Sequence, residues 1–275
     1  MTRLNDPGSL NKIAKKITPP IGSAVQSMGM SDGIELFVSY LNLLVGKGSG
    51  TGWDKTETIA TASVLRQVCP SGLPVVIDCG ANIGNWTREL RSHLGSDSGR
   101  WIAIEPTPEN IKRLGSLPNI EIIEAAAGEK AEELQLHIYN GGSGWTSLHQ
   151  RHDSFALGHE FSVHTVPVIT IDSVIADRGL DHVDFLKLDI EGHELFALRG
   201  AIQSLSARRI KALSFEFGSG NVNSRTFFRD FWELLTPLGF ELRRICPGGS
   251  TVPVKSYYED LEVFRGVTNY IAVLR

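Results

Sequence analysis

The rhythm of apolar positions changes at about residue 73. Before it, stretches near 31–45 and 54–68 carry apolar residues at helical spacing, the second through Ile59, Ala62, Val64, Leu65 and Val68. Pro19-Pro20 and the glycine-rich run from Gly46 to Gly52 punctuate them. The pattern predicts a helical N-terminal extension over 1–72, a cap docked on a main domain of 73–275. From Leu73 onward, short apolar runs alternate with helical patterns. Pro74 to Asp78, Trp101 to Glu105, Asn119 to Ile123, Val183 to Leu188 and Ile210 to Phe217 read as strands. Helices open near Gly84, Pro108, Asp172 and His193, and another is predicted over Ser224 to Leu235. Strands that are apolar throughout suit a parallel sheet covered by helices on both faces. The fold class is therefore α/β, with a mostly parallel sheet.

Two departures refine this. Leu134, Leu136 and Ile138 alternate with polar residues, as do Val163, Val166 and Val168, which predicts an antiparallel excursion around a glycine-rich loop at Gly141, Gly142 and Gly144. Gly239 to Ile245 and Asn269 to Leu274 read as strands with no helix between them, so they pair antiparallel or lie apart. An antiparallel terminal strand is the expectation.

Composition narrows the class of protein. The net charge of −4 argues against a general nucleic-acid binder, which needs a basic face. Cys69, Cys79 and Cys246 form no CxxC pair and no zinc spacing, so a reducing compartment is the simplest reading. No apolar core follows Lys12, Lys15 and Lys16, and no signal peptide is visible. The most apolar run, Ile34 to Val45, contains Glu35 and Asn42 and falls short of the ~20 residues a bilayer span needs. A cytoplasmic protein without membrane span or nucleic-acid partner is expected.

The first predicted strand ends at Asp78 and runs into Cys79-Gly80-Ala81-Asn82-Ile83-Gly84. Glycines at a strand-to-helix turn let a backbone approach a ligand closely. Glu105 ends the second strand, where a carboxylate accepts hydrogen bonds from ribose hydroxyls. The spacing is Gly-x-x-x-Gly, not the Gly-x-Gly-x-x-Gly of a pyrophosphate site. Asp78 would repel a pyrophosphate and attract an ammonium group. S-adenosylmethionine, which has a sulfonium, an amino group and no phosphate, fits that charge logic better than NAD.

These residues resemble the FkbM family of methyltransferases. The likeness is carried by Val76 to Gly84, by Ala103-Ile104-Glu105-Pro106, by Ala126-Ala127-Gly128, and most specifically by Asp184 to Glu194 followed by Leu198-Arg199-Gly200-Ala201. It covers roughly residues 73 to 217. The resemblance implies a Rossmann-like class I methyltransferase fold, S-adenosylmethionine as donor, and O-methylation of a sugar, glycosylated or polyketide-type metabolite. It also implies that Asp78, Gly80, Asn82 and Gly84 line the methionine part and Glu105 the ribose, with Ala81 and Pro106 beside them at the cofactor; the small β3 exit at Ala126 is sized to pass close to an adenine.

Methyl transfer requires an oriented acceptor oxygen and removal of its proton. Asp189, Glu191 and His193, at the carboxyl end of the fourth strand, are the candidates, with His193 titrating near neutrality. Asp189 and Glu191 can instead hold a divalent cation, but no third well-spaced ligand is visible and no metal is predicted. Glu194 suits a helix start, Lys187 a buried pair or a snorkelling side chain, and Glu216 a structural pair or a substrate contact. The loop around Trp145 suits a segment closing over a sugar or a plain hairpin tip. Competing readings are an NAD-dependent oxidoreductase and a non-catalytic cofactor-binding protein.

Overall fold

Alternation within each central strand divides the core into two layers. In β1, Val75–Cys79, Val76 faces one side of the sheet and Ile77 the other, and both are fully buried. Val76 packs with Trp101, Phe185 and Ile271 beneath Leu65 and Leu90, on helices α2 (Thr56–Val68) and α3 (Asn85–Leu94). Ile77 packs with Ile102, Leu186 and Leu213 against the opposite helical layer.

The computed structural model describes residues 18–48, 55–139, 143–152, 156, 158–264 and 266–275. Contacts divide the chain into two units, Met1–Asn42 and Leu43–Arg275. In the first, residues 18–27 are helical and helix α1 (Ser31–Leu44) opens. Its polar positions Asp32, Glu35, Ser39 and Asn42 fall in one stripe at three- and four-residue spacing. The buried face of α2 belongs to the core of the second unit. No helix among the described residues is long and apolar enough to cross a membrane.

The second unit is built on an eight-stranded sheet. Its parallel part comprises β1, β2 (Arg100–Ile104), β3 (Glu121–Ile123), β7 (Phe185–Leu188) and β8 (Ala212–Gly218). β9 (Phe240–Ile245), β10 (Thr251–Pro253) and β11 (Val267–Leu274) complete it in the order β10-β9-β11-β8-β7-β1-β2-β3. β11 inserts between β8 and β9 and runs antiparallel to both, which is the expected antiparallel terminal strand. The order reverses between β1 and β7, so the chain leaves these neighbours in opposite directions and opens a crevice over their carboxyl ends.

The antiparallel excursion is present as a separate sheet of β4 (Ala126–Ala127), β6 (Phe161–Ile169) and β5 (Glu132–Tyr139), in that order. Among the predicted loop glycines, Gly141 and Gly142 lie outside the described residues. The remaining helices include α4 (Pro108–Leu114), α5 (Ile171–Asp177), α6 (Glu194–Arg199) and α7 (Ile202–Ser206). The helix expected over Ser224 to Leu235 begins later, as α9 (Phe228–Leu235), after a separate short helix α8 (Ser219–Ser224). Arg225 adopts a left-handed φ of 56° and breaks the run, and the Glu262 carboxylate accepts from the amides of Phe228 and Arg229 to restart it. All three cysteines are free and buried.

α9 docks through Phe228, Phe231 and Leu235, with Phe231 stacked on Phe215 at 4.5 Å between ring centroids. Phe231→Ala should cost about 3–5 kcal/mol of unfolding free energy in a denaturant titration. A loss below ~1 kcal/mol would contradict this packing.

Candidate functional site

A cavity of about 490 Å³ lies over the carboxyl ends of β1, β2, β7 and β8, within the size range of a small-molecule site. Of the residues expected at a cofactor, Gly80, Asn82, Glu105, Pro106 and Ala126 line it; of those expected in catalysis, Asp189 and Glu191 do. Asp78, Ala81, Gly84 and His193 stand behind its walls.

The turn after β1 explains the first group. Gly80 has a φ of 76°, and a side chain there would run into the carbonyl oxygen of Asp189, so only glycine lets the ends of β1 and β7 approach. The amides of Gly80 and Ala81 both point to the Ile104 carbonyl, at 2.9 and 3.3 Å. The Asn82 amide donates to Glu105 at 2.8 Å. Glu105 also accepts from the Thr107 amide and the Asn110 side chain, which fixes its carboxylate at the cavity edge. Asn82 Oδ1 is buried and has no hydrogen-bond donor among the described residues. Ala81 packs with Ala103 and Leu114, and a side chain at Gly84 would collide with Leu117; both serve packing.

Asp78 lies beneath this floor, only 1% exposed. It accepts from the Thr87 hydroxyl at 2.7 Å and faces Lys187 Nζ at 3.3 Å. Lys187 is equally buried and reaches Asp189 at 3.0 Å. Burial opposes its charge, but Asp189, Asp78 and Glu57 outweigh it and hold the ammonium proton well above the ordinary lysine range. The buried-pair reading of Lys187 is correct.

The turn after β7 builds the second group. Glu191 and Gly192 both have positive φ, and a side chain at Gly192 would strike the Gly220 backbone. Glu194 does more than open α6: fully buried, it accepts from the amides of Ile190 and Gly192 at 3.0 and 3.1 Å and clamps the turn. Burial pushes its carboxyl up to about 7. Glu191 pairs with Arg151 at 2.6 Å. Burial and Asp189 nevertheless outweigh that pair and push the Glu191 carboxyl up to about 8. Arg151 is the cavity-lining cation that the sequence reading left unassigned. It also reaches Ser219, its amide donates to the Tyr139 hydroxyl, and Ser147 donates to the Glu191 carbonyl. These bonds tie the segment from Trp145 to Arg151 down as one wall of the cavity, in which Trp145 meets His159 edge-on.

Glu216, at the end of β8, completes an acidic edge. Carboxylate oxygens of Asp189, Glu191 and Glu216 lie within 4.8 Å of one another. Glu216 is the third carboxylate that spacing alone did not reveal, because β8 is distant in sequence. Two of the three already face a cation, Lys187 or Arg151.

His193 is not brought to the cavity. Its ring stacks on Phe196 at 4.5 Å, its Nδ1 lies 3.0 Å from His149 Nε2, and burial followed by His149 pushes it down to about 3. The role of proton acceptor at the cavity, expected for His193 from its ordinary titration, does not fit a buried neutral imidazole facing another histidine.

Comparison with known proteins adds an independent finding. A family model described as "Methyltransferase FkbM domain" matches residues 78–242. Among solved structures, an FkbM methyltransferase from Methylobacillus flagellatus KT is 19% identical with a TM-score of 0.48, over 73% of this chain and 44% of that one. This chain therefore spans less than half the length of that relative. A magnesium protoporphyrin IX methyltransferase from Synechocystis PCC 6803, solved with bound SAM, is 12% identical over 79% of each chain, with a TM-score of 0.36. The plantazolicin methyltransferase BpumL, in complex with SAH, is 11% identical over 80% of this chain and 83% of that one, with a TM-score of 0.40. No curated protein matches the chain.

The His193 environment has a consequence for stability. Its folded pKa of about 3 lies below the ordinary 6.5, so the unfolded chain binds the proton first as pH falls. The stabilising contribution is complete above about pH 6.5 and decays toward pH 3, by up to ~1.4 kcal/mol per pH unit. Urea unfolding of His193→Gln at several pH values should show a flatter acid decline than the native chain; an identical slope would refute the assignment.

Proposed function

The chain belongs to the FkbM methyltransferase family, and we propose that it transfers a methyl group from S-adenosylmethionine to a hydroxyl of a sugar, glycosylated or polyketide-type metabolite. Its sheet has the Rossmann-like order of class I methyltransferases. One observation carries the choice of cofactor. The amides of Gly80, Ala81 and Asn82, which would cradle a pyrophosphate in a dinucleotide site, are already bonded to Ile104 and Glu105. The Glu105 carboxylate beside them is an acceptor for ribose hydroxyls, which either nucleoside offers. The orphaned Asn82 Oδ1 asks for a donor, which a ribose hydroxyl or an ammonium group supplies. These features fit a phosphate-free, cationic nucleoside and disfavour NAD.

When bound, S-adenosylmethionine supplies a methyl group already activated by a positively charged sulfur. Glu105 and Asn82 would hold the nucleoside, with Ala126 and Pro106 as apolar walls. Asp78 acts from below, through Lys187, by fixing Asp189. Asp189 and Glu191, on a turn clamped by Glu194, would orient the acceptor hydroxyl at the other end of the cavity. Orientation of this kind is a large part of any two-substrate rate enhancement. Trp145, Leu148 and Arg151 form the wall an acceptor would meet, and a sugar-like ligand suits that mixture of aromatic, aliphatic and hydrogen-bonding groups.

Isothermal titration calorimetry should detect binding of S-adenosylhomocysteine and none of NADH; the reverse pattern would end the methyltransferase reading. A radiolabelled-methyl screen of sugars and glycosylated metabolites should return an acceptor. Asp189→Asn should then lower turnover at least ~100-fold while S-adenosylhomocysteine affinity stays within a few-fold. Undiminished turnover would remove Asp189 from the chemistry.

A further inference from the structure

We propose that Glu216 is the catalytic residue that takes the proton from the acceptor hydroxyl. This rests on the methyl-transfer reading above. Four carboxylates line the cavity: Glu105, Asp189, Glu191 and Glu216. Three of them are committed. Glu105 accepts from Asn82, Thr107 and Asn110, Asp189 faces the Lys187 ammonium, and Glu191 is paired with Arg151. Among the described residues, no donor or cation is bonded to Glu216. It is the carboxylate whose oxygens are free to meet a ligand.

Its placement follows from β8. Phe215 and Phe217 are buried in the layer against α9, so Glu216 projects to the opposite face, where two residues earlier Ser214 meets Glu57 of α2. There the sheet edge brings Glu216 within 4.8 Å of Asp189 and Glu191, the pair proposed to orient the hydroxyl. A base must stand within reach of the proton it removes, and this one shares the end of the cavity where that proton lies.

Its surroundings also suit the task. Burial, then Asp189, Glu191, Glu57 and Glu194, raise its proton affinity well above the ordinary carboxylate range. A carboxylate whose pKa is raised toward the working pH is a better base for the hydroxyl proton than one in the ordinary range. The charges balance through the step. The hydroxyl oxygen forms the new O–CH3 bond, the C–S electron pair returns to sulfur, and the hydroxyl proton passes to Glu216. A sulfonium and a carboxylate become a thioether and a carboxylic acid, so two opposite charges disappear together in a poorly solvated site. Before the step, an incoming sulfonium favours the ionised form of Glu216 and releases its proton; afterwards the neighbouring carboxylates favour the protonated form.

The test needs no acceptor. Calorimetric titrations near pH 7, in buffers of different ionisation enthalpy, count the protons exchanged when S-adenosylmethionine or S-adenosylhomocysteine binds. The native chain should release protons with the sulfonium form and fewer with the thioether. Glu216→Gln should shrink that difference, leaving only what Glu191 and Glu194 contribute, with S-adenosylhomocysteine affinity within about three-fold of native, and Glu216→Asp should retain it in full. An equal proton count for the native chain and Glu216→Gln overturns the proposal, and so does added Mg²⁺ or Mn²⁺ binding tightly to the native chain but not to Glu216→Gln, which would make the residue a metal ligand. Failure of both nucleosides to bind the native chain would instead strike the methyl-transfer reading. With the acceptor from the screen, Glu216→Gln should lower kcat by about 100-fold or more and leave KM within a few-fold.

Discussion

One buried ammonium organises the site. Lys187 is 2% exposed and lies within 3.3 Å of Asp78 and 3.0 Å of Asp189, the carboxylates at the ends of adjacent strands β1 and β7. Leaving Lys187 or Asp78 unpaired at this depth costs several kcal/mol, whereas Asp189, at the cavity surface, is partly solvated. The charge geometry in turn fixes the spacing of the two turns that form the cavity floor. Gly80, which admits the Asp189 carbonyl without obstruction, is the backbone counterpart of that constraint.

From this anchor the two halves of the cavity diverge in character. The end over β1 and β2 is built from backbone amides already engaged and one fixed carboxylate, so it is rigid and offers few groups to a ligand. The end over β7 and β8 holds three close carboxylates facing two cations. Electrostatic tension is concentrated there, and the raised proton affinities of Glu191 and Glu216 are its physical signature.

Much of this was legible in the sequence. The α/β alternation, the glycine turn before Asn82, the acidic end of β2 and the Asp189 turn are all local patterns, in which neighbours in sequence are neighbours in space. What escaped was non-local. Arg151 meets Glu191 only because the small sheet folds back over β7, and Glu216 meets Asp189 only because β8 lies beside it. His193 looked available because it sits next to the site in sequence; the neighbouring α6 carries Phe196, which turns its ring into an aromatic pocket. Asp78 lies at a strand end, where spacing cannot tell the inward face from the cavity face. The later start of α9 escaped for a similar reason, since a capping carboxylate from Glu262 is a tertiary fact.

The wall from Trp145 to Arg151 is fastened to the rest of the unit through a few polar anchors: Ser147 on the Glu191 carbonyl, Arg151 on Glu191 and Ser219, and Tyr139 on the Arg151 amide. It belongs to an inserted sheet and contributes no strand to the large one. The molecule is thus assembled like a chassis with a bolted panel. Between those fastenings Leu148 seats on the small sheet and His149 on His193 and Phe196, so the panel is gasketed as well as bolted, and a change in its shape is transmitted to the turn after β7 that it presses on.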